Sequence, residues 1–278
     1  VPRVWDIEKG ALVAALPIHP SWVSGCRFSH DGEHVVTGCR DGVVRVLPIE
    51  SPAGDMALVG HRGRVWDVDV LPDGRILSVG NDGTLRLWAV GASQEKAGVV
   101  ERSVAATKVA GAMGLVAPEW QGDLVVASRD PPGIARFDQR GRLVAEIATA
   151  FSGEWRLELD EQRSRMAASG ADYRVATVVL PDRGAAGAPR VLPAEICGSA
   201  IAWSGDAGLL VGGADGRLWL WDDTAARASV VDDVGRGIEA IDVTFAGAPR
   251  AVIVAGKSVR ILDLSPSGAP RGGSRKMS

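Results

Sequence analysis

One kind of turn recurs along this chain and organises everything between its copies. Asp41-Gly42, Asp82-Gly83 and Asp215-Gly216 each stand between two short runs of strand-forming residues. Asp-Gly pairs suit tight reversals because glycine accepts a positive φ and the carboxylate bonds the backbone two residues on. Around Asn81-Asp82-Gly83, for example, RILSV at 75–79 precedes the turn and LRLW at 85–88 follows it, while VWDVDV at 65–70 alternates ahead of Pro72-Asp73-Gly74. Three such runs joined by turns make an antiparallel meander. Arg129-Asp130 and Ala171-Asp172 hold the same place in two further stretches. The residues that close the run after each turn are Trp5, Leu47, Trp88, Phe137, Val178, Trp221 and Leu262, spaced by 42, 41, 49, 41, 43 and 41 residues. A unit of about forty residues repeated seven times implies one repeat architecture.

The unit at 60–88 carries Gly60-His61 at its start, Ser78 in its second run, Asp82-Gly83 at the turn and Trp88 at its end. In these marks the chain resembles the WD-repeat β-propeller family. The resemblance implies an all-β fold of four-stranded antiparallel blades. Seven closing positions imply seven blades, with the first, Arg3–Ile7 and Ala11–Leu16, truncated at the N-terminus as if cut from a longer chain. A six-bladed ring, in which Ala11–Leu16 completes the blade ending at Leu264, is the alternative. The propeller domain is expected over 1–264, and the Gly/Ser/Pro/Arg-rich stretch 265–278 is expected to be a disordered tail that leaves the last blade without its fourth strand.

The same resemblance implies a buried hydrogen-bonded chain among His61, Ser78, Asp82 and Trp88, with His19, Thr37 and Asp41 in the equivalent places of the preceding repeat. A buried indole N–H and a buried carboxylate both need partners, and an imidazole can donate to one group while accepting from another. Leu47 has no N–H to donate, so that second chain is expected to stop at Asp41 or find water.

Composition narrows the function. A net charge of −3 from 31 basic and 34 acidic side chains gives no global field for nucleic acid. Cys26, Cys39 and Cys197 are odd in number and form no CxxC pair, so neither a disulfide framework nor a zinc site is supported. No apolar run of membrane-spanning length and no signal peptide are seen, so a cytoplasmic protein that does not engage membranes is expected. Only five of the 31 basic residues are lysine, a skew that suits a GC-rich bacterial genome. All four histidines, His19, His30, His34 and His61, lie in the first quarter, and no HExxH or GxSxG motif occurs. The chain therefore reads as a non-enzyme needing no cofactor and no metal.

In the family, the loops before the first strand and between the second and third commonly form the partner-binding face. Carried over position by position, that face would present Trp22, Arg40, Arg62, Arg64, Asn81, Arg129 and Arg236. Aromatic and arginine side chains are the usual anchors of interfaces, and clustered arginines favour an acidic partner segment. Trp66, Trp155 and Trp203 fall on first strands and read as packing residues. The expectation is a protein-interaction scaffold, the regulatory or sensing propeller of a longer signalling protein and monomeric within it. A propeller enzyme or small-ligand binder using the axial channel is the alternative.

Overall fold

Alternating apolar residues and the Asp-Gly turns produce a series of sheets built on antiparallel meanders. The computed structural model describes the chain except residues 52–53, 91–98, 101–104, 109–111, 121–122, 130–131, 139–141, 148–155, 161–163, 171, 181–186, 199, 246–247 and 277–278; for 99–100, 105–108, 112–120, 123–129, 132–133 and 147 it describes the backbone alone. The chain falls into two compact units, Val1–Ala148 and Thr149–Ser278.

In the first unit, β1 (Arg3–Asp6) and β2 (Ala11–Ala15) form a two-stranded sheet. Next come β3 (Val23–Phe28), β4 (His34–Cys39), β5 (Val43–Pro48) and β6 (Met56–Val59). The following sheet holds β7 (Val65–Val70), β8 (Ile76–Gly80) and β9 (Thr84–Trp88). Two strands then return to these sheets. β10 (Val99–Val100) pairs in parallel with β6, giving that sheet a fifth strand, and β11 (Ala105–Lys108) pairs with β9. The last sheet of the unit is β12 (Ala112–Trp120), β13 (Asp123–Arg129), β14 (Pro132–Phe137) and β15 (Leu143–Ile147).

The second unit holds three sheets. They are β16 (Arg156–Asp160), β17 (Arg165–Ser169), β18 (Val175–Val179) and β19 (Arg190–Val191); β20 (Ala200–Trp203), β21 (Leu209–Gly212), β22 (Arg217–Asp222) and β23 (Arg227–Asp233); and β24 (Ala240–Thr244), β25 (Arg250–Ala255), β26 (Ser258–Asp263) and β27 (Arg275–Lys276). The fold is thus an all-β propeller of antiparallel sheets.

Three expectations are corrected. Among the described residues five sheets have the four-stranded form, which is neither seven such blades nor six. The six-bladed closure through Ala11–Leu16 is not formed, since β2 pairs with β1 and the outer edge of β26 is taken by β27. Nor is 265–278 a free tail. Leu264 bridges Pro270, β27 runs back along β26, and Ser274 N–H donates to Asp232 Oδ2 at 3.0 Å while the Ser274 hydroxyl bonds the same oxygen. Arg260 Nε donates to Ser274 Oγ at 2.6 Å, and Ser204 Oγ donates to the Gly268 carbonyl at 2.5 Å. Sheet edges left open invite aggregation, and this return strand covers one.

The cores lie between neighbouring sheets of a unit. Val36, Val44, Val46 and Leu58 interdigitate with Val65, Val68, Val70, Ile76 and Trp88. A Cβ on Gly38 would stand 2.8 Å from Val65 Cγ1 and 2.9 Å from Val68 Cγ1, so the missing side chain lets β4 approach β7. In the second unit Leu209, Val211 and Trp221 pack on Ala167 and Val175, and Ala202, Leu210 and Leu218 pack on Ala251, Ile253 and Leu262. A polar strut joins two of these sheets: Arg165 pairs with Asp160 at 2.9 Å, donates to the Gly205 carbonyl at 3.0 Å and lies 3.9 Å over the Trp203 ring. Both ion-pair side chains are more than nine-tenths buried.

Candidate functional site

The polar chain of the second full sheet is assembled by the turn between β8 and β9. Asp82 sits in it with Gly83 at φ +69° and accepts the Thr84 N–H at 3.1 Å and the Thr84 hydroxyl at 2.7 Å on Oδ1. Its Oδ2 accepts the Arg62 N–H at 2.9 Å, which ties the loop before β7 to the turn. His61 Nδ1 is 3.0 Å from Asp82 Oδ1. A carboxylate only accepts, so Nδ1 carries the proton and Nε2 is left to accept from Ser78 Oγ at 2.8 Å. Trp88 Nε1 in turn donates to Ser78 Oγ at 2.8 Å. Every bond in the series indole, hydroxyl, imidazole, carboxylate therefore runs in one direction. A Cβ on Gly80 would collide with His61 Nδ1, so glycine is required for the ring to lie there.

Electrostatics follow from this geometry. Partial burial opposes ionisation of Asp82, but the Arg62 N–H, the His61 ring and the Thr84 hydroxyl outweigh it and lower the carboxyl to about 2. Burial pushes the His61 imidazole below its ordinary value, with Asp82 pulling the other way, so the ring is neutral. Ser78, His61 and Asp82 share the connectivity of a hydrolytic triad. Ser78 is 0% exposed and its oxygen already holds the Trp88 indole, so this hydroxyl meets no substrate.

The preceding sheet departs from the expected pattern. His19 Nε2 lies 2.8 Å from Thr37 Oγ1, but Nδ1 donates to the Pro17 carbonyl at 3.1 Å. Asp41 turns instead to Arg45, at 2.7 and 3.2 Å, and to the Val43 N–H at 3.0 Å. The expected link from His19 to Asp41 is therefore absent, because a local carbonyl takes the ring proton and an arginine four residues on takes the acid. In the second unit Trp221 Nε1 donates to Asp223 Oδ1 at 3.1 Å, and Thr177 on the neighbouring sheet donates to the same oxygen at 2.9 Å. Sequence reasoning missed Asp223, whose signal was the doubled acid after Trp221. Asp222 serves the turn before β23, accepting from Thr224 and Ala225.

On the loop face of the first unit, matching bonds set matching positions. Arg40 N–H donates to the Trp22 carbonyl at 2.8 Å, and Asn81 N–H to the Arg64 carbonyl at 2.7 Å. The turn of one sheet abuts the loop of the next: a Cβ on Gly42 would stand 2.9 Å from the Gly63 carbonyl and 3.2 Å from that of His61. Trp22 is 79% exposed. Arg40, Arg62 and Asn81 are exposed, and among the described residues neither arginine has an acidic group within ion-pair distance. Arg64 differs: its guanidinium stacks 3.8 Å over the Trp66 ring and Nε donates to Ser24 Oγ at 3.1 Å. Arg236 is exposed on the second unit, beside Gly216 and Gly256. The side chain of Arg129 and all of Trp155 lie outside the described residues. Asp31, Glu33 and His34 present ligand atoms within 4.8 Å of one another on an exposed turn, where Asp31 Oδ1 already accepts from Ser29 Oγ and the Glu33 N–H.

The family described as WD domain, G-beta repeat matches residues 10–46, 55–89 and 194–222, which span β2 to β5, β6 to β9 and β20 to β22. These three stretches are WD repeats. Relatives of the chain include the DENN domain and WD repeat-containing protein SCD1 of Arabidopsis thaliana, 33% identical over 89 residues. That match covers 32% of this chain and 7% of the relative. WD-repeat propellers generally mediate protein–protein interaction and are typically non-catalytic scaffolds. Among the described residues no helix is long and apolar enough to cross a membrane.

Proposed function

We propose that this WD-repeat chain is a non-catalytic platform that binds an acidic segment of a protein partner through the loop face holding Trp22, Arg40, Arg62 and Asn81. The observation that carries the reading is Trp22, a large apolar side chain 79% exposed on the loop face that also holds the exposed Arg40 and Arg62, neither of which has an acidic group within ion-pair distance among the described residues. An exposed indole supplies contact area at small entropic cost, and a guanidinium pairs bidentately with carboxylates. Arg64 acts as scaffold to this face, held by Trp66 and Ser24. The same reading makes the chain the regulatory or sensing module of a cytoplasmic signalling protein.

The test is capture of partners from lysate by the wild-type chain and by Trp22→Ala/Arg62→Ala. Loss of captured proteins from the variant, with recovery weakening as salt rises, is expected. Undiminished capture by a folded variant overturns the reading.

A further inference from the structure

Arginine stands three residues ahead of a serine or threonine at four places in this chain: Arg75 before Ser78, Arg174 before Thr177, Arg271 before Ser274 and Arg275 before Ser278. A basic residue at that spacing suits the acidic substrate cleft of an arginine-directed protein kinase. Ser78 and Thr177 are 0% and 3% exposed, so neither hydroxyl is reachable in the folded chain, and Ser278 lies outside the described residues. Ser274 differs from both buried sites. It is half-buried, and the residues around it, Arg271 to Gly273 and Arg275 to Lys276, are exposed.

The backbone sets this exposure. Leu264 bridges Pro270, and the Arg271 N–H donates to the Asp263 carbonyl at 2.8 Å, a register that would set Gly273 against Ile261. Ile261 instead pairs with Arg275, so two extra residues bulge from the strand around Gly272 and Gly273. Gly272 has φ +87°, a left-handed conformation that glycine adopts freely. Bulges on edge strands redirect side chains, and this one carries Ser274 to Asp232 of β23, on the neighbouring sheet. Two residue pairs, Arg260 with Lys276 and Ile261 with Arg275, hold β27 to β26, so opening this end of the sheet costs little.

The Ser274 hydroxyl donates to Asp232 Oδ2 and accepts from Arg260 Nε, and the Ser274 N–H bonds the same carboxylate oxygen at 3.0 Å. The other atoms of both partners are engaged too: Arg260 Nη2 donates to the Ser274 carbonyl at 2.8 Å, and Asp232 Oδ1 accepts the Asp233 N–H at 2.9 Å. With a carboxylate and a guanidinium both at hydrogen-bond distance from Oγ, a group larger than a proton on that oxygen parts Ser274 from Asp232.

We propose that Ser274 is a phosphorylation site for an arginine-directed protein kinase, and that the phosphate releases β27 from Asp232 and opens the edge of β26. In the transfer the Ser274 proton passes to the kinase's catalytic aspartate and Oγ bonds to the γ-phosphorus of ATP. The bond from that phosphorus to the β–γ bridging oxygen breaks, and ADP leaves. The product places roughly two negative charges where the carboxylate had received a proton. A single guanidinium does not balance a dianion and a carboxylate in contact, so the strand leaves the sheet.

The test incubates the full chain carrying Ser278→Ala with Mg²⁺-ATP and an arginine-directed kinase, with the peptide 268–278 bearing the same change as substrate control. Fragment mass mapping locates the phosphate, and amide exchange at Ser274 to Lys276 and along β26 reads the strand. We expect phosphate on Ser274, with transfer slowed by Arg271→Ala, and exchange at these amides at least about tenfold faster once it is attached. Exchange along β21 stays at the unmodified rate. In Asp232→Asn, where the like charge is gone, the phosphate should add less than about twofold. A chain or a peptide left unmodified at Ser274 overturns the proposal. So does a phosphorylated chain whose β27 amides exchange at the unmodified rate or more slowly, the result of Arg260 capturing the phosphate and tightening the strand. An equal tenfold gain in Asp232→Asn overturns release by the carboxylate.

Discussion

Trp88 Nε1 donates to Ser78 Oγ at 2.8 Å while the same hydroxyl donates to His61 Nε2 at the same distance. One hydroxyl thus satisfies two buried groups, one on the third strand and one on the loop before the first. Ser78→Ala leaves both unpaired. At about 1–3 kcal/mol for each orphaned group, the variant should lose roughly 2–6 kcal/mol. Urea unfolding with an unchanged m-value checks this, and Ser78→Thr should retain most of the stability.

The carboxylate at the far end makes the fold acid-sensitive. Asp82 has its carboxyl lowered to about 2, below the ordinary 3.8, so it contributes stability that is full above 3.8 and lost as pH falls through about 2. Discounted for solvent screening, the contribution is about 1–2 kcal/mol. His61, held neutral by burial, adds a loss that begins as pH drops below 6.5, where the unfolded ring takes a proton and the folded ring resists it. Asp82→Asn should be less stable at neutral pH and show a flatter decline below pH 4. Thermal melts from pH 7 to pH 2 measure both.

In the second unit, the Arg165–Asp160 pair is buried on both sides. Removing one partner strands the other, so Arg165→Ala should cost about 3–5 kcal/mol. Replacing both with apolar residues of similar volume, Arg165→Met with Asp160→Leu, should cost less than the single change. Denaturant midpoints of the three variants decide it.

Asp232 anchors the returning terminal strand through Ser274. Asp232→Ala should leave the sheets folded and release that strand. Amide exchange at Arg275–Lys276 and along β26 rises in the variant if the carboxylate is the anchor, and stays at wild-type rates if it is not.

Strand positions were legible because their cause is local. Runs of alternating residues end at Asp-Gly turns, and the runs read at 65–70, 75–79 and 85–88 are observed as β7 on the same residues and β8 and β9 within one residue. The series from Trp88 to Asp82 has spacing set by two short strands and a tight turn. What was not legible depends on partners distant in sequence or on a single substitution. Composition marks 265–278 as disordered, yet Asp232, 42 residues before Ser274, holds it in place. The Asp41 link fails because Pro17 and Arg45 offer His19 and Asp41 nearer partners. β10 reaches back to β6 in a parallel pairing that no hydrophobic period announces.

The Asp223 carboxylate receives the indole of its own repeat and the Thr177 hydroxyl of the one before it. Neighbouring repeats are therefore interlocked, and neither can be duplicated, deleted or shuffled as a free module. Evolutionary change in the number of units must insert or remove Thr177 and Asp223 together, or break the chain at a seam that lacks such a shared acceptor.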